Sequence, residues 1–258
     1  MKECEIFSQL KVPCGSKILL RLDGRGFYKL SQQIGLKKPY DSGFVQAMVN
    51  TGIELFQEFS PSFIYTFSDE FNILLSDIPF SGRIEKLNSV FASFTANSFF
   101  SNILKSTIME KKSYNNKGQV KNILQFLKTI SFDCRVIPLS VKMVPDYFKG
   151  RQDEAWRNCL NGYAYWTLRK KMDKKKAINV LSGLKSNQIH DLLFEEDIIM
   201  GEIPAWQRRG IGIYKIDEKV NVYNPVMQKT VKSSRKRIFS DCNLSRFEVD
   251  FFQKIIND

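Results

Sequence analysis

The sequence has few of the residues and motifs on which several common enzyme classes depend. Its one histidine, His190, lies in the apolar run 189–194, where packing is a better explanation than a catalytic triad or a metal site. The five cysteines are widely spread and form no Cys-x-x-Cys pair, so we expect neither a disulfide framework nor a zinc ribbon. Triad hydrolases and zinc enzymes are therefore excluded.

Two further absences concern nucleotides and membranes. No Gly-x-x-x-x-Gly-Lys-Ser/Thr motif is present, which excludes a Walker-type site, and Gly24-x-Gly26 lacks the third glycine of a dinucleotide fingerprint. No apolar run has the length of a transmembrane helix, and the first residues lack the apolar core of a signal peptide. We expect a cytoplasmic protein.

Positive charge and phenylalanine are abundant instead. The 258 residues carry 39 Lys and Arg against 27 Asp and Glu, a formal net charge of +12. Such a charge favours an acidic polymer or a phosphate-rich partner, and nucleic acid rather than a membrane. The 21 phenylalanines indicate a folded chain with a sizeable core.

Two acidic turns are the candidate site. The apolar run 18–22 stops at Asp23 and turns through Gly24 and Gly26, where the backbone can approach a ligand closely. Phosphate together with a divalent cation would suit this turn. The second turn, Ser68-Asp69-Glu70, joins two predicted strands within residues 63–75.

The order of elements connects the two turns. The pattern predicts a strand ending at Asp23, a helix capped by Asp41 or Ser42, the hairpin 63–75, a helix over 84–104, a loop or hairpin tip over 105–121 and a strand over 130–137. This βαββαβ order is typical of an α+β, ferredoxin-like core, in which strands one and three are antiparallel neighbours. Asp23 and Asp69 then meet at one edge of the sheet, which favours metal binding over turn chemistry alone.

The remaining sequence is more helical and more basic. We predict helices over 153–171 and 177–184, a turn bearing Arg208 and Arg209, short strands over 211–215 and 220–223, and a final helix over 245–256. The run 229–237 is interpreted as the basic tip of a hairpin arm. Arg208 and Arg209 suit either RNA contact or a structural turn, and the arm suits either RNA contact or a solvated basic loop.

Several motifs resemble, in order, those of the tRNA-His guanylyltransferases and their relatives, the 3′-to-5′ tRNA polymerases. The matching segments are Arg21-Leu-Asp-Gly-Arg-Gly-Phe27, Lys38-Pro39-x-Asp41, Ser68-Asp69-Glu70, Phe132-Asp133-x-Arg135-Val136, Asp146-Tyr147-Phe148-x-x-Arg151-Gln152 and Arg208-Arg209-Gly210. The resemblance implies a polymerase palm-type catalytic core over residues 1–138. Residues 139–258 would form a helical and β-hairpin RNA-binding extension packed on that core.

The resemblance also implies ligands and residue roles. Two Mg²⁺ ions would be held by the catalytic residues Asp23 and Asp69 and by the Gly24 carbonyl. The nucleotide-binding residues implied are Gly24, Arg25, Gly26, Phe27, Tyr28, Lys38, Asp41, Ser68 and Glu70. The RNA-binding candidates are Arg135, Arg151, Asn158, Arg208 and Arg209, to which the charge of the arm adds Arg235, Lys236 and Arg237.

The activity implied is nucleotide addition to the 5′ end of tRNA after activation of that end by ATP. The partners would be tRNA, ATP and GTP or other nucleoside triphosphates, and the assembly a homo-oligomer, dimer or tetramer. The family usually has histidine where Tyr28 stands, and residues 156–162 keep only Asn158 and Leu160 of a block typical of eukaryotic members. The chain thus resembles the archaeal and bacterial type, which adds templated nucleotides and repairs 5′ ends.

Two other functions stay open at this stage. A palm-type cyclase acting on small nucleotides would use the same paired aspartates, but it would leave the basic segments without a role. A non-catalytic RNA-binding relative would have no need of Asp23, Ser68 and Asp69.

Overall fold

The protein has a mixed α/β fold built on one six-stranded antiparallel sheet. The structure, a computed structural model, describes residues 4–110, 125, 127–224 and 228–257. The strands are β1 (Lys17–Gly24), β2 (Phe63–Phe67), β3 (Glu70–Leu74), β4 (Phe132–Leu139), β5 (Ile211–Asn224) and β6 (Lys229–Asp241). The helices are α1 (Phe27–Gln33), α2 (Ser42–Phe59), α3 (Ile84–Glu110), α4 (Val144–Arg169), α5 (Lys174–Leu181), α6 (Ser186–Glu195), α7 (Ala205–Arg209) and α8 (Val249–Asn257).

The strand order across the sheet is β4-β1-β3-β2-β5-β6. The predicted pairing of the first and third strands is confirmed, because β1 and β3 are antiparallel with Asp23 opposite Glu70. The end of β1 consequently lies beside the turn that joins β2 to β3.

Strand β1 is buried on both faces of the sheet because its alternate residues enter different cores. Leu20 belongs to a cluster with residues of α2 and α3, and Leu19 to a cluster with residues of α4 and α8. A third cluster joins α4 to α6 through Leu160 and Ile189. The central strand β1 is therefore covered by helices on both faces of the sheet, which leaves its end at Asp23 and Gly24 available for chemistry.

The helices differ from the prediction mainly at their ends. Asp41 caps α2 as expected, since its Oδ1 accepts a hydrogen bond from the Phe44 amide at 2.9 Å. Helix α3 continues to Glu110, so the loop predicted from Lys105 is wrong over 105–110; no glycine or proline interrupts the chain there. The rest of that predicted loop lies outside the described residues.

Helix boundaries in the C-terminal half also move. Helix α4 begins at Val144, nine residues before the predicted start at residue 153, with Pro145 in its first turn. Helix α8 begins at Val249 rather than at residue 245. Across the described part of the chain, no helix combines the length and apolar character needed to cross a bilayer.

The hairpin arm has a different construction from the predicted one. Residues 211–224 form one continuous strand, and the basic run 229–237 lies within the second strand rather than at the tip. Charged residues are tolerated in this ribbon because opposite charges such as Glu218 and Arg235 face each other across the strands. The division of the chain at residue 138 stays a prediction.

Candidate active site

The end of β1 and the turn between β2 and β3 form one acidic edge. Asp23 lies opposite Glu70 on β3 and opposite Asp133 on β4. The Gly24 amide donates a hydrogen bond to the carbonyl oxygen of Asp69 at 3.0 Å, which ties the turn to the strand end. The predicted juxtaposition of the Asp23 and Asp69 segments is thus confirmed.

The electrostatics of Asp69 reflect its position. Burial raises the pKa of the Asp69 carboxyl, and the nearby negative charge of Asp23 raises it further. The Ser68 hydroxyl, which donates to Asp69 Oδ1 at 2.8 Å, and the Lys38 ammonium act in the opposite direction. A cation between the two aspartates would relieve their repulsion.

The donors at this edge are of the kind that Mg²⁺ prefers. Asp23, Asp69 and the Gly24 carbonyl offer hard oxygen ligands. In residues 4–110, 125, 127–224 and 228–257 no group of three or more His, Cys, Asp or Glu side chains could hold a metal. Asp133 instead pairs with Arg135 at 3.4 Å. A metal ion at this edge would therefore rely on two carboxylates, the backbone and substrate oxygens.

The two glycines of the first turn serve different purposes. A Cβ on Gly24 would lie 2.6 Å from the ring of Phe27, so this glycine makes room for that side chain. Gly26 has a φ of 74° at the start of α1, a backbone conformation that few other residues adopt. From the sequence we predicted that both glycines allow a ligand to approach closely. In the structure, Gly24 is required because the ring of Phe27 packs against it.

Arg151 of α4 contacts residues on both sides of the turn that carries Asp69. Its guanidinium forms a bidentate ion pair with Glu70, Nε to Oε1 at 2.9 Å and Nη2 to Oε2 at 2.5 Å. It also lies 5.3 Å from the ring centre of Phe67 and contacts Glu154 at 2.5 Å. Phe67 precedes and Glu70 follows the Ser68-Asp69 turn, so one side chain holds both ends of that turn.

A second contact from the same helix supports this arrangement. The Tyr147 hydroxyl donates to Asn72 Oδ1 at 2.7 Å, and Asn72 Nδ2 donates to Glu70 Oε1 at 2.7 Å. Burial raises the pKa of Tyr147 to about 12, so the hydroxyl stays protonated as a donor. We predicted Arg151 as an RNA contact, but its side chain is only 13% exposed. The sequence did contain a signal for this network. Residues 147 and 151 are four apart and share a helix face, and residues 70 and 72 are two apart and share a strand face.

A cavity of about 360 Å³ opens beside the acidic edge. Its walls come from α1, the segment 36–41, α2, α4, α7 and the β2–β3 turn. The predicted nucleotide-binding residues that line it are Phe27, Tyr28, Lys38, Asp41 and Ser68, together with Asp69 and Asn158. The backbone turn at Gly24, Arg25 and Gly26 and the side chain of Glu70 do not line it. The structure therefore divides the predicted residues between a pocket and the acidic edge.

The polar groups of the pocket are held in place. Lys38 Nζ donates to the Ser31 hydroxyl at 2.8 Å. Asp41 Oδ2 accepts a hydrogen bond from the Lys37 amide at 2.9 Å, while Oδ1 caps α2. Each carboxylate oxygen retains a second acceptor site for a ligand. The predicted nucleotide contact of Asp41 is thus compatible with its structural role.

Sequence reasoning missed the aromatic wall of this cavity. Tyr40 and Trp206 line it and pack edge to face with ring centres 5.5 Å apart. The Tyr40 hydroxyl donates to the Gln207 carbonyl at 3.1 Å. These residues are far apart in the sequence, so only the fold shows that α7 faces the start of α2. Such a wall suits the face of a nucleobase.

The predicted arginine pair is less exposed than expected. Arg208 Nε donates to the Ile203 carbonyl at 2.6 Å, and Arg209 Nη1 donates to the Leu244 carbonyl at 3.0 Å. Both side chains are half-buried in the short helix α7. The exposed turn that we predicted there is wrong, because these guanidinium groups satisfy backbone carbonyls. Their position favours the structural alternative.

The remaining RNA candidates are exposed. Arg135 lies on β4, with a side chain 53% exposed. Arg235 and Arg237 both contact Glu218, and Lys236 lies between them on the opposite face of the ribbon. The three residues of the arm therefore do not form a single surface.

Comparisons with known proteins agree on one family. A family model described as tRNAHis guanylyltransferase matches residues 1–140. The tRNA(His) guanylyltransferase of Debaryomyces hansenii is 32% identical over 69% of this chain and 65% of its own length, so the matched region is just under two thirds of that relative.

The solved structures with the same fold include two of a bacterial tRNA(His) guanylyltransferase-like protein. The complex of that protein with ATP has a TM-score of 0.73 at 23% identity, covering 99% of this chain and 96% of the other. Its complex with GTP has a TM-score of 0.66 at 21% identity, with the same coverage.

Proposed function

Because this chain belongs to the tRNA(His) guanylyltransferase family, we propose that it is a nucleotidyltransferase that adds nucleotides to the 5′ end of tRNA, in the 3′-to-5′ direction. One observation carries the proposal: the acidic edge formed by Asp23 and Asp69 borders a cavity of about 360 Å³ lined by Lys38 and Ser68. Acceptors for a metal ion and donors for phosphates are thereby placed side by side.

The proposed metal site consists of Asp23, Asp69 and the Gly24 carbonyl. The raised pKa of Asp69 supports this assignment, since the Asp23 charge contributes to it and a bound cation would remove that repulsion. Two Mg²⁺ ions bound there would supply Lewis-acid activation of the attacking oxygen and charge neutralisation on the leaving group. The side chains of Ser68 and Lys38 would bind and orient the triphosphate.

The reaction has two stages in this proposal. The 5′-phosphate of the tRNA first displaces pyrophosphate from ATP, which leaves AMP joined to the 5′ end. The 3′-hydroxyl of the incoming nucleotide then attacks that phosphate, forming the new phosphodiester and releasing AMP. The aromatic wall formed by Tyr40 and Trp206 would hold the base of a nucleoside triphosphate while its phosphates extend toward the Ser68 turn.

The ferredoxin-like, palm-type core belongs to the same proposal. The order β4-β1-β3-β2 within the sheet and the helices α2 and α3 on one side support it. Assembly as a dimer or tetramer and a cytoplasmic location remain predictions from the sequence.

The direct test uses a tRNA transcript lacking its first 5′ nucleotide, labelled nucleoside triphosphates and Mg²⁺. We expect the transcript to lengthen by one nucleotide at its 5′ end. A product that is instead a cyclic nucleotide, formed without RNA, would support a cyclase. Binding of the transcript without lengthening would support a non-catalytic RNA-binding protein.

We expect the template base, rather than a fixed preference for guanine, to select the added nucleotide. The reason is the departure of residues 156–162 from the eukaryotic sequence pattern. Changing the base opposite the missing nucleotide should change the nucleotide added to its complement, as sequencing of the products would record. Addition of G opposite all four bases would contradict this prediction.

Lys38 should matter for nucleotide binding. Lys38→Gln removes an ammonium group from the cavity wall, and a hydrogen bond to a charged group contributes about 1.5–3 kcal/mol. We therefore expect KM for the nucleoside triphosphate to rise roughly 10- to 100-fold, with a smaller change in kcat. Lys29→Gln on α1, outside the cavity, is the matched control. An unchanged KM for Lys38→Gln would show that Lys38 does not contribute to binding the nucleoside triphosphate.

A further inference from the structure

Gln207 lies beside the aromatic wall of the cavity, and hydrogen bonds hold its backbone on both sides. The residue follows Trp206 in α7 and lines the same cavity. Its amide nitrogen donates to the Pro204 carbonyl at 3.0 Å, and its carbonyl oxygen accepts from the Tyr40 hydroxyl at 3.1 Å. Gln207 is therefore fixed at the edge of the surface that suits the face of a nucleobase.

A second tyrosine orients the side chain of Gln207. The hydroxyl of Tyr163 on α4 donates a hydrogen bond to Gln207 Oε1. Burial raises the pKa of the hydroxyls of Tyr163 and Tyr40, so both stay protonated and act as donors. The two tyrosine rings also pack together, with ring centres 6.0 Å apart. Because Oε1 is directed at Tyr163, the carboxamide presents its Nε2 on the other side.

The Nε2 group of Gln207 is a donor that the protein itself leaves unused. Among the residues that the structure describes, it has no hydrogen-bond partner. A donor at the edge of an aromatic wall would be matched by an acceptor on the edge of a bound base. N7 is an acceptor that adenine and guanine share and that lies outside their Watson–Crick edge. Pyrimidines have no equivalent atom.

We propose that Gln207 recognises the purine of a nucleoside triphosphate by donating a hydrogen bond from Nε2 to N7, and that Tyr163 positions the amide for this contact. This inference rests on the proposed function, which supplies ATP as a ligand of the cavity. Gln207 is then a binding residue, and Tyr163 is a positioning residue that acts through it. A contact at N7 leaves the Watson–Crick edge of the base free.

The test compares ATP with 7-deaza-ATP, in which a C–H group replaces N7. Calorimetric titration of the full-length protein in the presence of Mg²⁺ gives the ratio of the two affinities. A hydrogen bond between neutral groups corresponds to roughly a 2- to 12-fold change in affinity, so the wild type should prefer ATP by that factor. Gln207→Met, which has a side chain of similar length without a donor, should lose this preference.

Three further variants separate the contact from effects on the fold. Gln207→Glu keeps an acceptor for Tyr163 but replaces the donor by an oxygen, so this variant should not prefer ATP. Its added charge weakens both ligands alike and cancels in the ratio. Tyr163→Phe should give an intermediate ratio, because the amide is present but free to rotate. Tyr165→Phe, on the same helix, half-buried and outside the cavity, is the matched control and should keep the wild-type ratio.

The kinetics provide a second measurement. A contact to the base is the same before and during the reaction, so the Gln207 variants should raise KM for ATP with little change in kcat. Equal binding of ATP and 7-deaza-ATP by the wild type would overturn the inference, as would a Gln207→Met variant that keeps the wild-type ratio. An unchanged ratio in Tyr163→Phe would overturn the positioning role of Tyr163.

Failure of the proposed function would look different. In that case the wild type would not lengthen the tRNA transcript, whatever its affinity for ATP. If the wild type lengthens the transcript but binds ATP and 7-deaza-ATP equally, only the role of Gln207 is wrong.

Discussion

Replacing either aspartate of the acidic edge by asparagine should abolish nucleotide addition while leaving the fold intact. Asp23→Asn and Asp69→Asn keep the shape of the side chain but remove the charge needed to hold a divalent cation. We expect kcat/KM to fall at least ~100-fold, because losing one charge-stabilising group from an active site typically costs a factor of about 100 to 1,000. Single-turnover lengthening of the truncated tRNA is the measurement.

Unlike activity, the stability and the tRNA affinity of the protein should not fall in these variants. Burial and the Asp23 charge raise the pKa of Asp69 in the folded protein, so its ionised form opposes folding at neutral pH. Asp69→Asn should therefore keep or increase the melting temperature of the metal-free protein, and tRNA affinity should be unchanged. Asp133→Asn, at the same edge but paired with Arg135, is the control and should stay within about threefold of wild-type activity. Near-normal turnover of Asp23→Asn or Asp69→Asn at saturating Mg²⁺ would show that the metal assignment is wrong.

Removing Arg151 should be the most destabilising of these changes. The Glu70 side chain is 9% exposed, so Arg151→Met leaves a buried carboxylate without its partner. Breaking one side of a buried ion pair costs about 3–5 kcal/mol of unfolding free energy, which denaturant titration would measure. Glu154→Gln removes the other, more exposed partner of Arg151 and should cost less than about 1 kcal/mol.

A double variant separates stability from positioning. Arg151→Met/Glu70→Gln removes both charges and should recover most of the lost stability. The turn bearing Asp69 would still lack the group that holds its two ends. We therefore expect the double variant to need a higher Mn²⁺ concentration for half-saturation in a calorimetric titration. Full recovery of both stability and Mn²⁺ affinity would mean that Arg151 only stabilises the fold.

The sequence was sufficient for the acidic edge because that part of the site depends on local patterns. A strand ending at Asp23, a short turn at Asp69 and the βαββαβ order together predict that the two residues lie side by side, as they do at the end of β1. The helix cap at Asp41 was equally local. Each strand end, turn and cap is determined by residues within a few positions of one another, and the order of the elements then brings the two turns together.

The features that the sequence did not predict depend on contacts between distant segments. Arg151 was predicted as an RNA contact, since nothing in its neighbourhood indicated that it pairs with Glu70, 81 residues away. The aromatic wall needs Tyr40 and Trp206 to meet, and Arg208 finds its acceptor only once α7 is packed. We predicted two short strands in β5 because charged residues interrupt its apolar pattern. Strand pairing in an exposed ribbon does not require such a pattern, so the strand is continuous.

The ribbon joins the sheet through only three residue pairs, Ile64–Ile213, Tyr65–Gly212 and Thr66–Ile211. From Tyr214 to Tyr223 strand β5 pairs with β6 alone, a reach of about 30 Å at the usual rise per residue. A two-stranded hairpin by itself is only marginally stable in water. Its amide hydrogens should therefore exchange with solvent orders of magnitude faster than those of β1, and slow only when a ligand is bound along the ribbon. Part of the binding free energy of such a ligand would then be spent on ordering the ribbon, so a cross-link between its strands should tighten the binding of that ligand without adding a contact.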